Sequence, residues 1–346
     1  MALPAAMTAG KVLLSVVVPC LNEEAVIDLT HRHLVEALGG DPTFDLEIVY
    51  VNDGSRDRTE AVLFELAERD PRVKVVSFTR NFGHQPAVSA GLQYASGDAV
   101  AVIDADLQDP PEVILRLVEK WREGYDVVNA VREKRKESIG KRLAYALFYK
   151  LYRRLASIDV PLDSGDFALM DRRVVDVMNS LPEKNRFVRG LRSWSGFRQT
   201  GVAYERASRA AGETKYSFRK LLRLAFDGIV NFSTAPLSFI FGLGIVTAAI
   251  AMSAAVGYLA ARIFEIPIFG YTPGEAPGFT TLILTILFFS GVQLISIGIL
   301  GEYLGRIYEE TKMRPTFVVK EVRGGRAAPA AAQQPARATE RPARAV

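Results

Sequence analysis

Val100-Ala-Val-Ile-Asp-Ala-Asp-Leu-Gln-Asp-Pro-Pro111 is an apolar run that ends abruptly in three carboxylates, Asp104, Asp106 and Asp109. The run 99–103 is short, uncharged and rich in β-branched residues, which predicts a strand buried on both faces. Alternation then sends Asp104 and Asp106 to one side of the chain, about 7 Å apart. Two carboxylates at the end of a buried strand repel each other unless a cation lies between them. Carboxylate oxygens, with the amide of Gln108 beside them, suit a hard divalent ion, Mg²⁺ or Mn²⁺. An isolated Asp-x-Asp is more often a plain solvated loop, so the surrounding chain has to decide.

Upstream, Leu13-Leu-Ser-Val-Val-Val-Pro-Cys-Leu-Asn-Glu-Glu24 reads as a buried strand entering a polar turn, with Asn22 placed to cap a helix from about Glu23. Glu47–Ser55 is a second strand that ends in an Asp-Gly turn, and Val73–Phe78 is a third. Apolar residues at helical spacing follow each strand, so strands and helices alternate. That pattern predicts an α/β fold with an open, mostly parallel sheet. Such sheets bind ligands at the carboxyl ends of their strands. Asn22-Glu23, Asn52-Asp53 and Asp104–Asp106 all fall there, and three polar turns on one rim make a site.

Other chemistries find no template. The chain has no Gly-x-Gly-x-x-Gly after its first strand, no Walker loop, no His-Glu-x-x-His and one cysteine, Cys20. A single cysteine excludes an internal disulfide and is expected to be a small packed residue. Of the three histidines, His31 and His33 are expected on the surface of the first helix, and His84 in a rim turn. No signal peptide is expected in the first eleven residues.

Charge and hydropathy divide the 346 residues. No charge falls between Asp227 and Arg262, or between Glu275 and Glu302. Each gap exceeds the roughly 20 residues that cross a bilayer core. The expectation is two C-terminal transmembrane helices, at about 235–263 and 279–301 within a two-helix domain 233–308. A tail 1–10 and a soluble domain 11–232 come first, and a short segment 309–323 and a disordered tail 324–346 come last. Basic residues flank both spans, and the connector Glu265–Glu275 holds two acids and no base. The positive-inside rule therefore places both termini and the large domain in the cytoplasm. Two basic aromatic stretches, 139–158 and 215–231, are expected to lie on an anionic membrane surface. Nothing suggests a nucleic-acid partner.

Val16-Val-Val-Pro-Cys-Leu-Asn-Glu-Glu24, Val51-Asn-Asp-Gly-Ser-Arg-Asp57 and Asp104-Ala-Asp-Leu-Gln-Asp-Pro-Pro111, in this order and spacing, resemble the inverting family 2 glycosyltransferases of GT-A fold. Arg80-Asn-Phe-Gly-His-Gln85, Asp163-Ser-Gly-Asp-Phe167 and Gly212-Glu-Thr-Lys-Tyr-Ser217 resemble the polyprenyl-phosphate branch of that family. The resemblance implies a nucleotide-sugar donor and a polyprenyl (undecaprenyl) phosphate acceptor, with UDP-glucose the favoured donor. It implies that Pro19, Leu21, Glu23 and Asp53 bind the nucleotide, together with Asp104. Asp104, Asp106 and Gln108 would hold the metal against the diphosphate, and Asp166 matches the position of a proposed base. Asp109 is placed to cap the helix at Pro110-Pro111. Arg132, Arg206, Lys215 and Ser217 are expected to receive the acceptor phosphate, which Arg matches in geometry. A bacterial inner-membrane location, a homotetramer and a small flippase partner are implied by the resemblance alone. GDP-mannose, UDP-galactose and UDP-N-acetylglucosamine remain alternative donors. A non-catalytic nucleotide-binding subunit of a lipid export complex is the reading outside enzymology.

Overall fold

The structure is a computed structural model and describes residues 11–132, 164–184, 186–205, 235–264, 266 and 279–325. Eight strands form one sheet in the order β7-β5-β6-β4-β1-β2-β3-β8. The central strands are β1 (Val12–Cys20), β2 (Phe44–Asn52), β3 (Val73–Phe78) and β4 (Ala99–Val102), all parallel. β6 (Ser164–Asp171) runs antiparallel between β4 and β5 (Val127–Arg132). β7 (Gln199–Tyr204) lies parallel to β5, and β8 (Val319–Gly324) runs antiparallel to β3. The sheet is thus mostly parallel, as the alternating pattern predicts.

Side-chain alternation along β1 divides the core. Val16 and Val18 face a cluster with Ile27 and Leu34 of α1 (Ile27–Leu38), Leu63 of α2 (Thr59–Arg69) and Leu117 of α4 (Val113–Arg122). Val17 faces the opposite cluster, with Val88 of α3 (His84–Tyr94), Val174 of α5 (Arg172–Ser180) and Leu191 of α6 (Val188–Trp194). A strand covered on both faces needs apolar residues throughout, which is why β1 reads as an unbroken run. α3 packs so closely that a Cβ at Gly91 would lie 2.0 Å from Val17 Cγ1.

At the amino ends of the strands, Lys74 and Glu47 are buried together. Lys74 Nζ donates to Glu47 Oε1 at 2.6 Å, to the Tyr94 carbonyl at 2.9 Å and to Ser96 Oγ at 3.1 Å. Glu47 Oε2 accepts from Ser15 Oγ at 2.5 Å and from the Ser96 amide at 2.8 Å. A buried ion pair is costly to break from one side, because the remaining charge has no water. Lys74→Ala is expected to cost about 3 kcal/mol, read as a lower denaturation midpoint in urea. A Glu47→Gln/Lys74→Met double variant should recover part of that loss.

Two corrections concern the first helix. It begins at Ile27, and its cap position, Val26, makes no side-chain cap bond. Asn22 is instead left-handed (φ 56°), and its Oδ1 accepts the Arg56 amide at 2.9 Å. Its short side chain tolerates that backbone and is used to lace two loops together. His31 is not a surface residue. Its side chain is 12% exposed and lies 3.2 Å from the Tyr50 hydroxyl and 3.5 Å from Asp70. Cys20 is buried, as expected.

The two long helices are α7 (Ala235–Ile263) and α8 (Phe279–Thr311). Among the described residues one stretch, Phe288–Thr311 in α8, is long and apolar enough to cross a membrane. Both helices carry exposed large apolar side chains, including Phe239, Phe241 and Ile250 on α7 and Phe288, Leu294 and Ile297 on α8. A Cβ at Gly242, Gly244, Gly257, Gly291 or Gly298 would meet nothing within 4 Å. These glycines therefore make no close helix contact within the described chain. After α8 the chain returns to the sheet. Phe317 stacks on Phe78 with centroids 5.0 Å apart, and Lys320 pairs with Glu60 at 2.9 Å, so β8 covers the β3 edge. The stretches 139–158 and 215–231 lie outside the described residues.

Candidate active site

The carboxyl ends of β1, β2, β4, β5 and β7 and the amino end of β6 share one rim. Two loops there are laced by reciprocal bonds. The Asn22 amide donates to Ser55 Oγ at 3.0 Å, the Glu23 amide to Thr59 Oγ1 at 2.8 Å and the Arg58 amide to Glu24 Oε2 at 2.8 Å. This brings Pro19, Leu21, Glu23 and Asp53 to one neighbourhood. Pro19 is buried at the end of β1, Leu21 is 41% exposed and Glu23 is half-buried.

Asp53 is buried and engaged with its own protein. Its Oδ1 accepts the Phe82 amide at 2.7 Å and its Oδ2 the Gly83 amide at 3.0 Å. Burial pushes its pKa up despite those two bonds. Gly54 beside it has φ 66°, and a Cβ there would lie 2.3 Å from the Arg80 carbonyl carbon, so the Asp-Gly turn admits only glycine.

β4 ends at Val102, and the chain turns at 105–106 instead of continuing as strand. The turn, not alternation, sets how Asp104 and Asp106 are presented. Leu107 within it has φ 58°, a conformation that a branched side chain adopts only under constraint from its surroundings. Asp106 Oδ1 accepts the Gln108 amide at 3.2 Å. Burial raises the pKa of Asp104; His84 opposes the shift, and Asp166, Asp109 and Asp106 add to it. Among the described residues no three His, Cys, Asp or Glu side chains form a metal-holding group. Two adjacent carboxylates are nonetheless the donor set with which Mg²⁺ is held when substrate phosphates complete its shell. The Asp104–Asp106 turn fits a divalent ion on that basis.

Asp166 is the hub opposite. Its side chain is 8% exposed. Its Oδ2 lies 3.0 Å from His84 Nε2 and accepts Gln85 Nε2 at 3.2 Å, while Oδ1 accepts Arg189 Nε at 2.9 Å. Burial opposes its charge, but His84 and Arg189 outweigh burial and hold its pKa well below the carboxylate range. Burial likewise opposes an imidazolium at His84. The bond to Asp166 and the charge of Asp104, 3.9 Å away, win, and the His84 pKa is raised. Behind Asp166, Arg192 is fully buried, and burial brings its pKa down to about 10. Arg192 Nη2 donates to the Gly165 carbonyl at 3.3 Å, and its Nε and Nη1 have no hydrogen-bond partner among the described residues.

Asp109 reaches across the rim. α4 begins three residues beyond Pro110, at Val113, and Asp109 Oδ1 accepts the Tyr204 hydroxyl at 2.5 Å. That hydroxyl in turn accepts Arg132 Nε at 3.3 Å. Tyr204 is pushed up to about 12 by burial and by the Asp109 bond, so it stays protonated. The relay holds the half-exposed Arg132 head at the rim. Tyr204, Arg189 and Arg192 carry no signal in their own neighbourhoods. Arg206, Lys215 and Ser217 lie outside the described residues.

Residues 15–178 match the family described as Glycosyl transferase family 2. An uncharacterized glycosyltransferase of Bacillus subtilis (strain 168), YkcC, is 49% identical over 312 residues, covering 90% of this chain and 94% of that protein. The bactoprenol glucosyl transferase of Shigella phage SfV is 45% identical over 308 residues, covering 89% of this chain and 98% of that protein. The chain belongs to glycosyl transferase family 2, and within it to the polyprenyl-phosphate glycosyltransferases. Its mostly parallel α/β sheet is the GT-A fold of that family. Among solved structures it is similar to glucosyl-3-phosphoglycerate synthase from Mycobacterium tuberculosis in complex with Mn²⁺, uridine diphosphate and phosphoglyceric acid. That likeness has a TM-score of 0.42 and 24% identity, and covers 63% of this chain and 76% of the other.

Proposed function

We propose that this enzyme transfers glucose from UDP-glucose to the phosphate of a polyprenyl phosphate, with inversion, on the cytoplasmic face of a membrane. The observation that carries the reading is the shared rim, where an acidic turn faces a guanidinium held by a three-member relay. Opposite charges on one rim suit a donor diphosphate on one side and an acceptor phosphate on the other. The high identity to bactoprenol glucosyl transferases supports the lipid and favours glucose. The exposed large apolar side chains of α7 and α8 support a two-helix anchor, since contiguous exposed apolar surface calls for lipid or protein cover.

In this account the acceptor phosphate oxygen attacks the anomeric carbon, and the bond from that carbon to the nucleoside diphosphate breaks. Arg132 orients the attacking phosphate, with its head fixed by Tyr204 and Asp109. The phosphate is already anionic near neutral pH and needs no strong base. Asp166, with its low pKa and its engaged oxygens, anchors His84 and Arg189 beside the reacting groups. Pro19, Leu21 and Glu23 frame the nucleotide, and Asp53 fixes the neighbouring turn at Phe82-Gly83. Asp104 and Asp106, with Gln108, would hold Mg²⁺ or Mn²⁺, which supplies charge neutralisation for the departing diphosphate.

A donor screen tests the reading. Purified protein with Mg²⁺, polyprenyl phosphate and UDP-glucose is expected to give a lipid heavier by one hexose, seen by mass spectrometry. Product with another nucleotide sugar alone rejects the donor assignment, and no product with any donor rejects the reaction. Tyr204→Phe is expected to raise the acceptor KM about tenfold, because Arg132 loses its orienting hydroxyl, a bond worth about 1.5 kcal/mol. The donor KM should stay constant. Equal change in both constants would show that Tyr204 serves only packing.

A further inference from the structure

A cavity of about 850 Å³ opens between the carboxyl-terminal end of α8 and the loop that joins α5 to α6. That volume lies within the range of small-molecule sites, about 300–1,000 Å³. Its apolar wall includes Leu181, Leu191, Tyr303, Ile307 and Met313. Tyr303 and Ile307 are one helical turn apart and so share a face of α8.

The polar wall is basic, with Lys184, Arg186, Arg306 and Arg314 against Glu183 and Glu310. Both acids and one base already have work to do. Glu310 accepts the Lys184 amide at 2.9 and 3.1 Å, and Lys184 Nζ donates to the carbonyls of Glu309 and Glu310 at 3.1 and 2.7 Å. Glu183 faces Arg186 and Glu310, and burial pushes its pKa up. Arg186, Arg306 and Arg314 supply the guanidiniums of the lining, with Arg186 beside Glu183. Arg306 also pairs with Glu302 at 2.9 Å. Arg186 Nη2 donates to the Met178 carbonyl and, at 3.3 Å, to the Leu181 carbonyl, while its buried Nε has no hydrogen-bond partner among the described residues.

Depth along α8 points to the ligand. Glu302 is the first charge after the apolar run. At a rise of 1.5 Å per residue, Arg306 lies about 6 Å past it. The headgroup layer is about 5–8 Å thick on each side of a bilayer. Arg306 therefore lines the cavity at headgroup depth, and apolar side chains continue from it toward the hydrocarbon. The exposed Leu304 and Leu300 extend that apolar path along α8.

We infer that this cavity binds the headgroup of an anionic glycerophospholipid, with its phosphate against Arg186, Arg306 and Arg314 and one acyl chain along Tyr303 and Ile307. Basic pockets beside membrane helices take such headgroups. The site would also tie the bilayer to the reaction centre. The loop that grips α8 through Lys184 leads directly into α6, whose first amide, at Val188, donates to Gln85 Oε1 at 2.9 Å and whose Arg189 holds Asp166.

This inference rests on the membrane placement proposed above. The test uses the full chain in nanodiscs of phosphatidylcholine doped with phosphatidylglycerol, and native mass spectrometry counts the retained lipid. Wild type is expected to retain phosphatidylglycerol in preference to phosphatidylcholine. R306Q/R314Q should weaken that retention roughly twenty-five-fold, about fivefold for each arginine removed from an anionic headgroup. R69Q/R122Q, which removes two surface charges elsewhere, should not. No preference in wild type, or an unchanged preference in R306Q/R314Q, overturns the site. Displacement of phosphatidylglycerol by equimolar polyprenyl phosphate also overturns it and assigns the cavity to the acceptor. Protein recovered outside the discs whatever their lipid overturns the membrane placement, and the site with it. Absence of glucosyl transfer in the same discs bears on the reaction and leaves the lipid result standing.

Discussion

Asp106→Ala is expected to slow glycolipid formation about a thousandfold, the loss typical of removing a group that stabilises developing charge. Asp106 sits half-buried in the turn after β4, where its Oδ1 accepts the nearby Gln108 amide. Its removal should therefore leave the sheet intact, and the circular dichroism spectrum and thermal midpoint should match wild type. The effect should fall on the rate at saturating substrates as well as on KM, because a leaving diphosphate gains charge as its bond to the sugar breaks. Asp106→Asn tests charge separately from shape and should recover little. Near-normal turnover by either variant would remove the acidic turn from the chemistry.

Asp166→Ala is expected to cost both activity and stability. The carboxylate binds His84 and Arg189 directly and supplies the anion near buried Arg192. Without it, buried Arg192, part-exposed Arg189 and the His84 imidazole lose the anion they share. Breaking a buried charge network from one side costs about 3–5 kcal/mol, a large share of the stability of an ordinary domain. Activity should fall about a hundredfold, because α3 and α6 lose the group that joins them at the rim. Asp166→Asn keeps the shape and part of the acceptor capacity, so it should be the milder variant in the unfolding assay. If Asp166 takes a proton in the reaction, the two variants should instead be equally inactive while the Asn form stays stable. That outcome would make it a base and not an anchor.

The division between these two residues mirrors what the chain reveals locally. Asp106 belongs to a stretch whose apolar run, acidic turn and double proline stand together within twelve residues, so its rim position is legible from pattern alone. The same holds for β1, β2 and β3, each an apolar run closed by a polar turn. Asp166 is joined to His84 across 82 positions of sequence and to Arg189 across 23. No periodicity records such pairs, because they exist only once β6 is threaded antiparallel between β4 and β5. The Asp109–Tyr204–Arg132 relay is hidden for the same reason, with its members on three different elements. β8 is legible only as a segment after the last apolar helix, since pairing with β3 depends on where α8 delivers the chain.

Local rules also misdirect at Asn22 and His31, where tertiary contacts take over a polar side chain. Asn22 has the chemistry of a helix cap, but the Arg56 amide offers it a better-placed donor in the facing loop. His31 lies on a helix whose polar face reads as solvent-exposed, yet Tyr50 and Asp70 enclose it. Asp53 shows the converse. Its position on the rim follows from sequence, whereas its bonds to Phe82 and Gly83 show it bracing the site from within.

The central claim is a single displacement at this rim, with the lipid phosphate as nucleophile. The stereochemistry of the product tests it most directly. Glucosyl polyprenyl phosphate made from α-linked UDP-glucose should carry the β configuration, read from the anomeric proton coupling by NMR. An α-linked product would mean two displacements or a front-face reaction, and would contradict the account.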